Sequence, residues 1–205
     1  MAVNRHQATH LDASAPLVLD TREVGRRPGT MRTVSRSVGA PSRTGLDLIA
    51  VLEGGELELD LRMESVVEGV LVSGTVTAEA SGECSRCLEP LHQSVQVHLT
   101  ELYAYPNSAT VKTTEEDEVR RVQDDLIDLT EAVTEAIALE LPLQPLCSEE
   151  CAGLCAECGV RLAIAAPGHG HETIDPRWAA LSAKFDGPST ENSTEDGALT
   201  SIEEK

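Results

Sequence analysis

Six cysteines and two histidines are the residues of this sequence whose spacing could do chemistry. Cys84 and Cys87 form one C-x2-C pair. Cys147, Cys151, Cys155 and Cys158 follow far along the chain, the last two being a second C-x2-C pair, and His169 and His171 stand in Pro167-Gly168-His169-Gly170-His171. A C-x2-C turn aims two thiolates at one tetrahedral ion, and two such pairs complete a site. Gly159, directly after Cys158, permits the backbone to turn beneath a metal. Eight candidate ligands suffice for two tetrahedral zinc ions. The grouping that gives every ligand a partner places Cys84, Cys87, Cys147 and Cys151 round one ion and Cys155, Cys158, His169 and His171 round the other. The competing grouping is local, with Cys147, Cys151, Cys155 and Cys158 on a single ion and Cys84/Cys87 left as a free dithiol.

Other uses of these thiols fit less well. A thioredoxin-type redox pair needs a strand followed by a helix whose N-terminus lowers the thiol pKa, whereas Cys84/Cys87 fall between two expected strands. Disulfides need an oxidising compartment, and the start Met-Ala-Val-Asn-Arg-His-Gln has no apolar core of a secretory signal. A catalytic zinc keeps an open position beside a general base; Glu149, Glu150 and Glu157 are near in sequence, but acidic residues are common throughout. A phosphate-binding loop G-x-x-x-x-G-K-[ST], a G-x-S-x-G elbow and an H-E-x-x-H helix are all absent from the sequence. The expectation is structural zinc, one or two ions, with no catalytic residues. A zinc-dependent hydrolase or nuclease and a thiol/zinc redox sensor stand as the alternatives.

Residues 1–14 read as a flexible tail and Leu17-Val18-Leu19 as a short first strand. The Arg-, Gly-, Ser- and Pro-rich segment 22–45 reads as a basic arm or loop. Leu57, Leu59, Leu61 and Met63 alternate with Glu56, Glu58, Asp60 and Arg62, the pattern of a half-buried strand. Val70, Val72, Val76, Ala78 and Ala80 mark a second strand, and Leu91, Val95, Val97, Leu99 and Tyr103 a third. Short gaps between them favour antiparallel hairpins, hence a β-meander. Residues 106–125 read as an acidic, mobile surface loop. Leu126, Leu129, Val133, Ile137 and Leu141 recur at helical spacing, with Asp128 as N-cap, Glu131 at the third helical position and Pro142 and Pro145 beyond the end. The Cys/His segment 146–172 follows, then a short helix from Pro176 to about Phe185 and a disordered acidic tail over 186–205. The fold expected is α+β, an antiparallel meander packed with one main helix in a single domain over 15–185. Trp178, Phe185, Tyr103 and Tyr105 are the whole aromatic supply, so the core must be aliphatic.

The net charge is −19, but residues 1–43 hold seven arginines against Asp12, Asp20 and Glu23, which leaves −23 on the remainder. Phosphate neutralisation supplies most nucleic-acid affinity, so direct RNA contact would fall to Arg22, Arg26, Arg27, Arg32, Arg36 and Arg43. A solvated arm is the plainer reading of the same residues. No apolar run approaches the roughly 20 residues that span a bilayer. A cytoplasmic location is expected, with no membrane partner and no small-molecule substrate evident.

Several stretches resemble the YceD family. They are Arg27-Pro28-Gly29, the run from Glu64 to Gly74, Gly82-Glu83-Cys84-Ser85-Arg86-Cys87-Leu88-Glu89-Pro90, Leu141-Pro142-Leu143-Gln144-Pro145-Leu146-Cys147, Cys151-Ala152-Gly153-Leu154-Cys155-Ala156-Glu157-Cys158-Gly159 and Ile174-Asp175-Pro176-Arg177. The resemblance covers roughly residues 15–185. Its members are bacterial and plastid proteins linked to accumulation of 23S ribosomal RNA. The chain departs from the family's pattern at His169-Gly170-His171, where relatives often carry Cys-x-Cys, and at Ala156, where they tend to carry proline. The resemblance implies a non-enzymatic role in large-subunit ribosome biogenesis, with a ribosomal precursor or assembly protein as partner.

Overall fold

The computed structural model describes residues 10–113, 119–171 and 177. The chain divides into two units, Met1–Ile164 and Ala165–Lys205, and among the described residues every regular element falls in the first. In chain order these are β1 (Val18–Asp20), β2 (Met31–Gly39), β3 (Thr44–Gly45), β4 (Ile49–Val51), β5 (Glu56–Ser65), β6 (Gly69–Glu83), β7 (Pro90–Ala104), α1 (Ala109–Thr113), β8 (Leu126–Asp128) and α2 (Thr130–Glu140), with a 3-10 turn at Leu162–Ile164. The architecture is α+β, a mostly antiparallel sheet with one main helix.

Alternation along β5 makes the sheet amphipathic. Leu57, Leu59, Leu61 and Met63 are buried while Glu56, Glu58 and Asp60 face water, because successive side chains of a strand point to opposite faces. The β6–β7 hairpin is the spine, pairing residue for residue from Gly69 with Ala104 to Glu83 with Pro90. The other edge of β6 is shared. β5 takes its first part and β4 pairs with Ser81 and Gly82 near its end. Gly82 is required there, since a Cβ on it would lie 2.2 Å from the Leu48 carbonyl oxygen. The apolar face of the sheet forms one cluster with Leu17 and Leu19 of the β1 segment, Ile127 and Leu129 next to it, and Val133, Ile137 and Leu141 of α2 and its end. Arg120 ties α2 to the sheet through Glu101 of β7 (3.1 Å) and Glu135 of α2 (2.6 Å).

Three expectations change. Segment 22–45 is not an arm: Met31–Gly39 is a nine-residue edge strand paired with β5, and Thr44–Gly45 pairs with β4. The strand escapes the alternation test because both its faces are largely exposed, with only Val34 and Val38 packed against the core. Its arginines also suit an edge that must not recruit a further strand. Outside residues 114–118, which are not described, the segment 106–125 is more than a surface loop. It holds α1, and Val122 is buried with its N–H on the Ala104 carbonyl (3.0 Å). The main helix starts later than its apolar spacing suggests. Leu126–Asp128 is strand β8, paired with β1, and Leu129 is the N-cap with no side-chain cap bond. Asp128 still accepts from the Thr130 N–H at 2.8 Å. The helix expected from Pro176 and the tail over 186–205 lie outside the described residues, Arg177 apart, as do residues 1–9 of the N-terminal tail.

Candidate metal centre

The hairpin of β6 and β7 closes through Cys84–Glu89. Within it the Cys84 N–H donates to the Glu89 carbonyl (2.8 Å) and the Leu88 N–H to the Cys84 carbonyl (2.9 Å). Cys155–Val160 folds the same way. The Cys155 N–H donates to the Val160 carbonyl (2.8 Å) and the Gly159 N–H to the Cys155 carbonyl (2.9 Å). In each turn the residue after the second cysteine is left-handed, Leu88 at φ 59° and Gly159 at φ 72°. The two C-x2-C pairs are thus two copies of one knuckle, each presenting its two sulfurs on one side of a tight loop.

Residues 141–153 carry the other two sulfurs to the first knuckle. Pro142 ends the helix, and the extended chain that follows lays the Pro145 carbonyl against the Ser85 N–H (2.8 Å). Arg86, between the two knuckle cysteines, donates one guanidinium nitrogen to the carbonyls of Cys151 (3.1 Å) and Glu149 (3.3 Å). Gly153 packs beside it, where a Cβ would lie 3.2 Å from the Arg86 carbonyl oxygen. Glu89 is ion-paired with Arg161, just beyond the second knuckle. The sequence gives little warning of Arg86, Glu89 or Arg161. Their only signal is position, inside or directly after a C-x2-C turn.

The result is a four-sulfur cluster. The Sγ atoms of Cys84, Cys87, Cys147 and Cys151 all lie within 4.8 Å of one another, with Cys84 and Cys151 3.8 Å apart and Cys87 and Cys147 3.6 Å apart. A disulfide would need about 2.05 Å. A zinc ion with four bonds of about 2.3 Å gives a tetrahedron whose edges are about 3.8 Å. The donor set and spacing therefore fit a tetrahedral divalent ion with soft ligands. Cys84 and Cys87 are buried and Cys147 is exposed, so the cluster opens to solvent on the side of the later segment. The local set of Cys147, Cys151, Cys155 and Cys158 is not the group that converges among the described residues.

Electrostatics favour the same use. The Cys84 thiol is drawn down to about 6, first by the Cys147 amide donating to its sulfur, with the Cys87 and Arg86 amides adding to this against the opposing effect of burial. Cys87 is pushed up to about 12. The Glu89 amide acts most strongly and lowers it, but burial and the thiols of Cys84, Cys151 and Cys147 together outweigh that donor. Cys147 is raised too, chiefly by Cys151. The titrations of Cys84, Cys87 and Cys147 are linked. The first negative charge is welcome and further ones are resisted, a resistance that a divalent cation at the centre would remove.

The remaining expected ligands are divided between the two units. Cys155 and Cys158 belong to the first, on the second knuckle; His169 and His171 belong to the second, their rings edge-to-face with centroids 4.9 Å apart. The six arginines are exposed, and most have partners within the chain. Arg22 pairs with Asp20, Arg26 lies over the Tyr105 ring at 5.0 Å and Arg32 sits 3.7 Å from Glu23. Arg36 donates to the carbonyls of Pro16 and Val18, and Arg43 to that of Asp47. Among the described residues no helix is long and apolar enough to cross a membrane.

Fold and site together define a small α+β protein with a four-thiol candidate metal centre at the end of a long β-hairpin. Residues 72–183 match the family described as Large ribosomal RNA subunit accumulation protein YceD, and the chain belongs to that family. It is 56% identical over 168 residues to an uncharacterized protein of Mycobacterium tuberculosis, covering 82% of this chain and 81% of the relative. An uncharacterized protein of Mycobacterium leprae is 47% identical over 184 residues, 90% of this chain and 84% of the relative. The uncharacterized protein YlbN of Bacillus subtilis is 32% identical over 108 residues, 52% of this chain and 61% of that one. No solved structure matches.

Proposed function

We propose that this protein is a zinc-stabilised, non-enzymatic accessory factor in large-subunit ribosome biogenesis, acting in the cytoplasm to support accumulation of 23S rRNA. The observation that carries the metal part is the convergence of the four sulfurs of Cys84, Cys87, Cys147 and Cys151 within 4.8 Å. The ribosomal part rests on family membership. Four thiolates fill a tetrahedral ion and leave no position for water or substrate, which is the character of a structural site. The ion would join the end of the β6–β7 hairpin to the segment leaving α2, so the sheet and the helix become one rigid body in a core with few aromatic rings.

A second ion on Cys155, Cys158, His169 and His171 belongs to the same reading and is supported by ligand count and by the matching backbone of the two knuckles. Contact with rRNA through Arg22, Arg26, Arg27, Arg32, Arg36 and Arg43 is its least supported element, because most of these arginines already have partners in the chain. The deciding experiment is depletion of the protein followed by measurement of 23S rRNA and of large-subunit particles. Both fall if the proposal is right, and unchanged levels refute it. Purified metal-loaded protein that cleaved an rRNA precursor would replace it with the hydrolase reading.

A further inference from the structure

The two knuckles differ at one place that their hydrogen bonding makes equivalent. Gly159 occupies the left-handed position of the second, where no side chain is strained. Leu88 occupies it in the first, at φ 59°, and its side chain is 56% exposed. A leucine that is strained and also unburied contributes neither backbone ease nor core packing. Strain of this kind is found where a side chain is needed for something outside the fold.

Leu88 is not alone. Among the described residues nine large apolar side chains are exposed, and four of them, Leu88, Leu143, Leu162 and Ile164, belong to the two knuckles' flanking segments and the chain that joins them. The backbone bonds set their places. Leu143 is two residues before Pro145, whose carbonyl holds Ser85, and Leu162 donates its N–H to Gly153 (2.9 Å), which packs on Arg86. The charges in the same segments are mostly negative. Glu83, Glu149 and Glu150 are exposed, while Arg86 and Arg161 are held by carbonyls and by Glu89.

We infer that the metal end of the molecule is a docking surface for a basic protein segment, in which an apolar residue of the partner seats against Leu88 and its neighbours and flanking Lys or Arg side chains meet the surrounding carboxylates. Charge complementarity selects this occupant. A second copy of a chain of net charge −19, or RNA, would bring like charge to a surface that is already acidic. The inference rests on the proposed role in ribosome biogenesis, and it supplies the class of partner for that role.

The test uses the full-length, zinc-loaded protein and, as probe, the basic proteins extracted by salt from purified large ribosomal subunits. The wild type retains one or a few of them in a salt-sensitive manner. Leu88→Gly together with Leu143→Ser lowers retention at least about tenfold, while zinc content is unchanged and thermal stability is not reduced. Val67→Ser, which removes another exposed apolar side chain from the β5–β6 turn at the far end of β6, leaves retention as it was. No retention by the wild type, or equal retention by the double variant, overturns the inference. Returning each variant to depleted cells separates it from the broader reading. If wild type and double variant both restore 23S rRNA, the docking surface is wrong and the ribosomal role stands. If depletion leaves 23S rRNA unchanged, the ribosomal role fails and the retention experiment alone decides the surface.

Discussion

Leu88 and Gly159 occupy the same position in two turns with the same hydrogen bonds, at φ 59° and 72°. Leucine in that conformation costs roughly 1–2 kcal/mol relative to a right-handed one, and glycine almost nothing. The first knuckle is therefore built at a small energetic disadvantage that the second avoids.

Replacing Leu88 by glycine should relieve that strain. Little packing is lost, because the side chain is mostly in water, and the greater freedom of glycine in the unfolded chain offsets part of the gain. A net stabilisation of about 0.5–1 kcal/mol is expected, a rise of roughly 1–4 °C in Tm for a chain of this size. Differential scanning calorimetry of the zinc-loaded protein reads it. A lower Tm would mean that Leu88 packs against something after all.

Removing a sulfur from the quartet should release its ion. Cys84→Ser and Cys147→Ser, although the two cysteines lie far apart in sequence, should each lower Tm by about 10 °C or more and mimic chelation of the wild type. Cobalt(II) substitution reports the ligands directly through the intense thiolate bands of a tetrahedral four-sulfur site. If those bands survived Cys84→Ser, the ion would sit on the later cysteines alone.

Changing both histidines should leave the bands of the four-sulfur site intact. His169→Ala with His171→Ala is expected to reduce bound zinc from about two ions per chain to about one, measured by elemental analysis of tag-free protein. A wild type that holds a single ion, or a variant that loses nothing, would remove the second site.

RNA contact has its own signature. Deleting the N-terminal segment is a poor experiment, because Met31–Gly39 is a strand of the sheet and its loss would unfold much else. Arg26→Gln with Arg27→Gln instead removes charge from an exposed loop. If both arginines meet phosphates of single-stranded RNA, the slope of log affinity against log salt should flatten by about 1.4. An unchanged slope would place any RNA contact elsewhere.

The sequence is legible where one periodicity dominates. Leu57, Leu59, Leu61 and Met63 announce β5, and Val133 and Ile137 the middle of α2, because each pattern follows from a single buried face. Val34 and Val38 lie four apart and could sit on a helix or a loop as readily as on an edge strand, so β2 stays hidden. Leu126 extends the apolar spacing of α2 by coincidence, and only the pairing of β8 with β1 shows that it is a strand. At the metal centre, the cysteine spacing suggests which sulfurs can meet. It says nothing of Arg86 as the brace between segments or of the left-handed backbone at Leu88, since no glycine marks that turn.

The short ribbon of β1 and β8 also constrains how the chain reaches this structure. Val18 faces Asp128, and the Thr21 hydroxyl donates to the Asp125 carbonyl at 2.8 Å, across 104 positions of sequence. During synthesis Leu17 and Leu19, both buried at the end, must wait in the open until more than half of the protein has left the ribosome. Pairings this distant close slowly, and apolar segments that wait are prone to aggregation. The protein should therefore fold late and lean on chaperones while its first strand stands unpaired.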